Sequence, residues 1–570
     1  MTLQTQPVQL PLDDNLRKQG ILDVSRVKDE LVILANNERR FQIKLKKGQT
    51  PEDIAKLLET ELDEPLGRKL SQYITGFICK PENWAIISIN TSKPQLKQNA
   101  KAGSDRYKPK YHFNTFEEWQ VSVESAYHNL HKTVDDNIPQ AWAAIEFILA
   151  IKAILHIKEI TLPYIGIILG PPAGVKTIAL RLLSGRVYTF FTDRFNPRSM
   201  ISHVSPLPPG MKEGDQHLLN RMKNCFVIAP ELASLLSGRE EEVRENIQLM
   251  TRVADGQGLE TDSGLGHKGV TGKVMFVMGG AFVEFSPMVY GLLTTFGAKL
   301  YFFRLSEIAK THEQCFEELK GDQHIVKFQR MKDAMDKYLD IFESCPIAEP
   351  EEGLQYYLPK ISLDRFRANE NDDAIHIIVY LGKLLGRLRL VAWTREYITS
   401  TKKTTQEGDK TETIETEKRD YSFNTSLLED QSRANQQHYN LALAHALSMG
   451  RTSIGIEDIP ILVKITLSTA PQNRHRVFEE LLRNDGILTT KKIQDTLHLH
   501  RSTATRAMTE LVAVGLVQQD IVGEEHSKAI TLENEFNWFL GSEFKAVQEE
   551  NYRRYHEYLE NVNRVANGKA

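Results

Sequence analysis

Only four cysteines occur in 570 residues, at Cys79, Cys225, Cys315 and Cys345, and no two share a C-x-x-C spacing. That argues against a disulfide framework or a cysteine-built zinc site, and for reduced structural thiols. No apolar run reaches the roughly 20 residues of a membrane span. The nearest, Ala141 to Ile157, is broken by Glu146, Lys152 and His156. Residues 1–20 are polar and lack a signal-peptide core. The expectation is a soluble, cytoplasmic protein with no membrane partner. An excess of one charge is also missing, since 71 Lys and Arg face 75 Asp and Glu for a net −4. A polyanion would therefore be met only by local patches. No repeat of fixed period is found.

What the chain has is core-forming material, with 41% hydrophobic and 26% charged residues. That is a globular balance, long enough for about three to five domains. Residues 1–112 read as an N-terminal α+β accessory domain ending in a basic linker. Within it, Phe41, Ile43 and Leu45 alternate with Arg40, Gln42, Lys44 and Lys46. That predicts a half-buried strand, its basic face either a lysine-guarded edge or a nucleic-acid surface. The linker, 91–112, has six Lys and Arg against one Asp. From 113 to 310, helices alternate with apolar runs at Ile165–Leu169, Tyr188–Phe191, Cys225–Ile228, Val274–Met278 and Leu300–Phe303. This predicts an α/β core with a parallel sheet in three layers. Residues 311–470 read as helical, interrupted at 401–420 by a charged stretch without apolar periodicity, expected to be a mobile loop. A compact module at 471–540 and a charged terminal helix at 541–570 complete the chain.

The run Ile165 to Thr177 concentrates the chemistry. An apolar strand ends at Gly170-Pro171-Pro172-Ala173-Gly174-Val175, and Lys176-Thr177 opens a helix. Phosphate binding uses that order: backbone N–H groups wrap the oxyanions, Lys176 reaches the outer phosphates, and the Thr177 hydroxyl sits on Mg²⁺. Val175 stands where G-x-x-x-x-G-K-[ST] has its last glycine. The bland alternative is an ordinary strand–turn–helix. About fifty residues on, an apolar run ends at Pro230-Glu231. In P-loop ATPases the strand beside the loop strand ends in an acidic pair. Glu231 matches the carboxylate that polarises the attacking water, while Pro230 leaves the other position empty. The alternative is a solvated strand end.

With these motifs the chain resembles the AAA+ P-loop ATPases, and within them the minichromosome-maintenance-like and phage or plasmid replicative helicases. The resemblance spans about residues 135–540. It implies a three-layer P-loop core with a helical lid, ATP and Mg²⁺ as cofactors, and a homo-oligomeric ring such as a hexamer. It also implies a DNA-touching pore hairpin, whose polar-basic tip would be His267, Lys268 and Lys273; a plain surface hairpin is the alternative. Lys299 or Arg304 matches the family's trans-acting arginine, and Arg433 matches the arginine of the lid or a surface helix cation. The strand run Val277-Met-Gly279-Gly280 has no polar residue where the family has a sensor.

Residues 474–530 pattern as three helices and a two-stranded wing, which resembles a winged helix-turn-helix. Arg501, Ser502, Thr503, Thr505 and Arg506 fall at the start of its recognition helix, where major-groove readers carry short polar and basic residues. Eight Lys and Arg against eight Asp and Glu leave the module neutral, so protein docking is the alternative. The function this resemblance implies is that of an ATP-driven DNA translocase or helicase, with Glu231, Lys299, Arg304 and Arg433 catalytic. The alternatives are a nucleotide-switched DNA-binding regulator or loader, and an AAA+ protein remodeller.

Overall fold

The computed structural model describes residues 8–9, 21–27, 30–35, 39–44, 51–66, 68–79, 109–172, 175–202, 214, 216–263, 266–295, 299–305, 312, 316, 324–347, 349–350, 358–367, 371–390, 392–407, 410–425, 430–522, 527–547, 549, 553 and 560. Two units divide the chain, Met1–Ala102 and Gly103–Ala570. The linker expected at 91–112 and the terminal helix at 541–570 fall largely outside the described residues.

In the first unit, β1 (Val8–Gln9), β2 (Ile21–Val27), β3 (Glu30–Ala35) and β4 (Arg39–Lys44) form an antiparallel sheet in that order. Along β4, Ile43 is buried while Gln42 and Lys44 are exposed, the alternation a one-sided sheet requires. Two helices, α1 (Pro51–Leu66) and α2 (Arg68–Ile78), cover the inner face. Ile54, Leu58, Leu62, Ile74 and Phe77 pack there against Ile21, Val24, Leu31 and Ile33.

The second unit opens with α3 (Phe116–Asn137), whose first turn is capped by the Thr115 hydroxyl, and α4 (Trp142–Ile154). A parallel sheet follows, in the spatial order β11 (Leu300–Arg304), β5 (Tyr164–Leu169), β10 (Val277–Phe282), β7 (Phe226–Ala229), β6 (Thr189–Phe191). The short helix α5 (Lys176–Arg181) leaves β5, and α6 (Glu240–Val253) leads to the hairpin β8 (Gly258–Ser263) and β9 (Gly266–Thr271). Helix α7 (Pro287–Thr295) lies between β10 and β11. All six residues of β5 are buried, as a strand covered on both faces requires. A side chain at Gly166 would strike Phe147 and Ile151 of α4, and one at Gly280 would strike Leu232 on the other face.

Two sequence expectations change here. The strand expected at Val274–Met278 runs instead from Val277 to Phe282, because Gly279 and Gly280 sit mid-strand rather than ending it. A Cβ on Gly279 would lie 2.8 Å from Phe226, so glycine serves close packing there. The expected neighbour of β5 also differs: β10 is inserted between β5 and the Glu231 strand β7.

Helix α8 (His324–Phe342), the strand pair β12 (Glu349–Pro350) and β13 (Pro359–Lys360), and α9 (Asp372–Leu388) come next. In place of a mobile loop at 401–420, β14 (Ala392–Glu407) pairs antiparallel with β15 (Lys410–Thr425) along its whole length. The threonine-rich sequence favours strands. Register sets Lys402 opposite Glu415 and Glu407 opposite Lys410, pairings that favour a hairpin. After it, α10 (Gln431–Ser448) and α11 (Ile459–Ser468) pack into the same core as the sheet. The last module holds α12 (Gln472–Arg483), β16 (Ile487–Thr489), α13 (Thr490–Leu497), α14 (Arg501–Ala513), β17 (Val517–Val522) and β18 (Ser527–Leu532). Its sheet has three strands, β16-β18-β17. Its core is continuous with that of the parallel sheet.

Helix α10 is locked to α4 by His445, which meets Asp458 at 2.7 Å and Glu146 at 3.2 Å. Burial works against the imidazolium, but the hydrogen bonds and charges of Asp458 and Glu146 outweigh it and push His445 up to about 9. A folded pKa above the unfolded one near 6.5 gives stability that is complete below 6.5 and lost as pH rises through 9. Denaturant unfolding of the wild type should therefore weaken between pH 6.5 and 9.5 by on the order of 3 kcal/mol from this group. His445→Gln should flatten that slope; an unchanged slope would show that the imidazole is neutral.

Candidate functional site at the carboxyl edge of the parallel sheet

Parallel register brings the loop ends together. Leu169 stands abreast of Phe282 on one side and Arg304 on the other, and Ala229 abreast of Gly280. The Gly170 N–H donates to Val283 O at 3.3 Å, and Leu305 N–H to Leu169 O at 2.8 Å. Past β7, Leu232 N–H donates to Ala281 O at 3.2 Å, which fixes where Glu231 emerges. The loop 170–175, Glu231 and the segment after β10 thus leave one edge of the sheet, where doubly wound folds hold ligands.

Lys176 begins α5 and is 7% exposed, not solvent-facing. Its ammonium donates to Gly170 O at 2.7 Å and to Pro171 O. Burial pulls its pKa below the ordinary lysine range, and the charge of Glu231 acts the other way. The two charged groups that the sequence singled out are therefore within each other's field. Glu231 is exposed and its Oε1 accepts from Ala233 N–H at 3.1 Å, at the start of the short helix Ala233–Leu236. Pro171 and Pro172 are exposed, and Val175 and Thr177 half-buried. Ala173 and Gly174 lie outside the described residues. This donor set fits a phosphate group: a cation is already desolvated under a turn, and carbonyls stand in for its anion. For Mg²⁺ it offers the Thr177 hydroxyl, enough for an ion that keeps waters and phosphate oxygens as its other ligands.

The candidate cations divide between two edges. Arg304 is at the carboxyl edge with the loop, and its guanidinium pairs with Glu284 and donates to Tyr290 Oη at 3.3 Å. Since β5 lies between β10 and β11, this pair spans the end of the loop strand. Nothing in the sequence singles out Glu284, because Gly279-Gly280 reads there as the end of the strand. Reading the glycines as mid-strand would have moved the polar position to Glu284. Lys299 and Arg433 lie at the opposite, amino edge, roughly 16 Å away along a six-residue strand. Both bind the Asp255 carboxylate, at 2.8 and 2.9 Å. Both also cap the carboxyl end of α6, through Thr251 O at 3.0 Å and Ala254 O at 2.8 Å.

The three residues expected at the polar-basic hairpin tip stand in different settings. His267 is exposed and sits between Asp262 at 2.8 Å and Glu260 at 3.4 Å. Those two carboxylates raise its pKa, first through their hydrogen bonds. Lys268 is half-buried opposite Thr261, and Lys273 is exposed beyond the hairpin. In α14, Arg501, Ser502 and Arg506 are exposed, with Thr503 and Thr505 half-buried. Ser502 is tied to the His500 cap at 2.8 Å and Arg506 to Glu510 at 3.1 Å.

No protein-family model matches the chain, and no curated protein matches it in sequence. The amino-edge cluster is tested by its effect on stability. Removing the carboxylate in Asp255→Ala strands two partly buried cations, and should cost about 2 kcal/mol of unfolding free energy. Equal stability of variant and wild type would show that solvent already compensates both.

Proposed function

We propose that the chain is a P-loop ATPase of AAA+ type that acts on DNA, with the carboxyl edge of its parallel sheet as the nucleotide site. Residues 170–177 cradle the triphosphate, Lys176 neutralises its outer phosphates and Glu231 polarises the attacking water. Bound Mg²⁺, held by Thr177, supplies further neutralisation of developing charge. Residues 472–532 act as a winged helix that presents Arg501, Ser502, Thr503, Thr505 and Arg506 to a duplex. In the working form, copies assemble as a ring and translocate along DNA or unwind it. The observation that carries this reading is Lys176: a desolvated cation at the carboxyl ends of parallel strands, within the field of Glu231.

A second reading, a nucleotide-switched DNA-binding regulator or loader, draws support from the amino edge. Lys299 and Arg433, which a motor of the resembled type would use in catalysis, are both committed to Asp255. The hairpin, with His267 between two carboxylates, also offers little to a DNA backbone.

Steady-state ATPase of the full chain, with and without duplex DNA, separates the readings. A motor's turnover rises strongly with DNA, a regulator's stays low, and a protein remodeller responds only to a polypeptide. Lys176→Ala should lose ATP binding, and Glu231→Gln should bind ATP yet lose at least about 100-fold in turnover. Replacing Arg501 and Arg506 together by alanine should weaken duplex binding by roughly 2–4 kcal/mol and remove the stimulation. Wild-type ATP affinity in the Lys176 variant would reject the site.

A further inference from the structure

The carboxyl edge holds a second carboxylate that the nucleotide reading leaves without a task. Strand β10 ends at Phe282, abreast of Leu169, and the carbonyl of the next residue, Val283, accepts the Gly170 N–H at 3.3 Å. Glu284 therefore stands one residue beyond the bond that ties β10 to the root of the phosphate loop. On the other side, Leu305 follows Arg304, donates its N–H to Leu169 O at 2.8 Å, and would lie 3.3 Å from a Cβ placed on Gly170. The Glu284–Arg304 ion pair thus closes across the end of β5, where the chain turns into the loop.

Printed contacts fix this pair from several sides. Both terminal nitrogens of Arg304 reach the Glu284 carboxylate, Nη2 at 3.3 Å from Oε1. Tyr290 of α7 is buried, donates to the same Oε1 at 3.1 Å, and accepts from Arg304 Nη2 at 3.3 Å. The Phe285 N–H also donates to that oxygen at 3.1 Å. Burial and the charge of Glu284 raise the Tyr290 pKa, so its hydroxyl keeps its proton. The Arg304 side chain is 14% exposed and that of Glu284 34%. The cation is the enclosed member and the carboxylate the accessible one.

The edge thus sets Lys176 and Arg304 beside Glu231 and Glu284. A triphosphate that arrives without a metal meets two carboxylates and finds Arg304 already paired. One that arrives with Mg²⁺ brings charge of both signs. Its phosphates can take Arg304 while the cation takes Glu284, so opening the pair leaves neither charge alone. Pro230, at the end of β7, offers the metal no carboxylate. We infer that Glu284 makes triphosphate binding conditional on the metal: it repels the free triphosphate and serves the bound Mg²⁺ in the place that Pro230 leaves unfilled. The inference rests on the reading of residues 170–177 as the nucleotide site. Glu284 is a specificity-determining residue, and Tyr290 positions it.

Equilibrium binding of a fluorescent non-hydrolysable ATP analogue to the full chain, in Mg²⁺ and then in EDTA, tests this without turnover. The wild type should bind at least about tenfold tighter with Mg²⁺. Glu284→Gln keeps the side chain's size and its acceptor oxygen. It should bring that ratio to within about twofold of one, with binding in EDTA no weaker than the wild type's. Glu284→Gln combined with Arg304→Gln strands no charge, and should lower the ratio in the same way. Tyr290→Phe leaves the carboxylate in place and should keep the ratio. A wild-type ratio of one overturns the inference and leaves the site standing, as does a ratio that survives in both Gln variants. Equal weakening of Glu284→Gln in both conditions, or a ratio lost in Tyr290→Phe as well, would show that the seating of the cluster matters and not the Glu284 charge, and overturns it too. If the wild type binds the analogue in neither condition, the site reading itself falls.

Discussion

The parallel pairing of β5 between β10 and β11 is the constraint on which the rest depends. Both faces of β5 are covered, so its register cannot slip by one residue without turning Ile165 and Ile167 against the wrong layer. That register sets Leu169, Phe282 and Arg304 abreast, and everything at the carboxyl edge inherits its position from this row. The loop begins where Gly170 binds Val283 O, and Arg304 meets Glu284 because only one strand separates them. Glycine makes the layers close enough to hold the row: Gly166 and Gly280 lie where no side chain fits.

The sheet has two electrically different ends. At the carboxyl edge Lys176 is buried and, among the described residues, donates to the loop carbonyls of Gly170 and Pro171, an arrangement in which an anion would be a better partner. At the amino edge Asp255 pairs with both Lys299 and Arg433, a structural joint between α6, β11 and α10. Elsewhere, among the described residues, one buried charge network is built around Glu343. Lys152 and Glu343, at 1% and 0% exposure, meet at 2.7 Å, and Arg186 joins Glu343 to Asp340. Such pairs gain little net stability over apolar packing, but removing one member is costly, so they hold α4 and α8 in one arrangement.

The strand and helix on either side of the 170–175 loop, the run ending at Glu231 and the alternation of strands with helices were legible because each depends on local order along the chain. What the sequence hid was pairwise. The mid-strand role of Gly279 and Gly280 depends on Phe226 and Leu232, more than forty residues away, so Glu284 went unnoticed. Lys176 looks solvent-facing in sequence because its carbonyl partners belong to a turn whose closure no propensity describes. Lys299 and Arg433 are 134 positions apart, and nothing in either neighbourhood announces Asp255 as their common partner. At 401–420 charge and the lack of apolar period pointed to a loop, whereas threonine content and cross-strand pairing decide for a hairpin.

The central claim is that the Lys176 loop receives the phosphates of a nucleoside triphosphate. A structure of the full chain with Mg²⁺ and a non-hydrolysable ATP analogue tests it most directly. The expected result is that the Lys176 ammonium leaves Gly170 O and Pro171 O for the outer phosphate oxygens, with Thr177 at the metal and Glu231 facing the terminal phosphate. An analogue bound elsewhere, or a Lys176 still held by its two carbonyls at saturation, would contradict it.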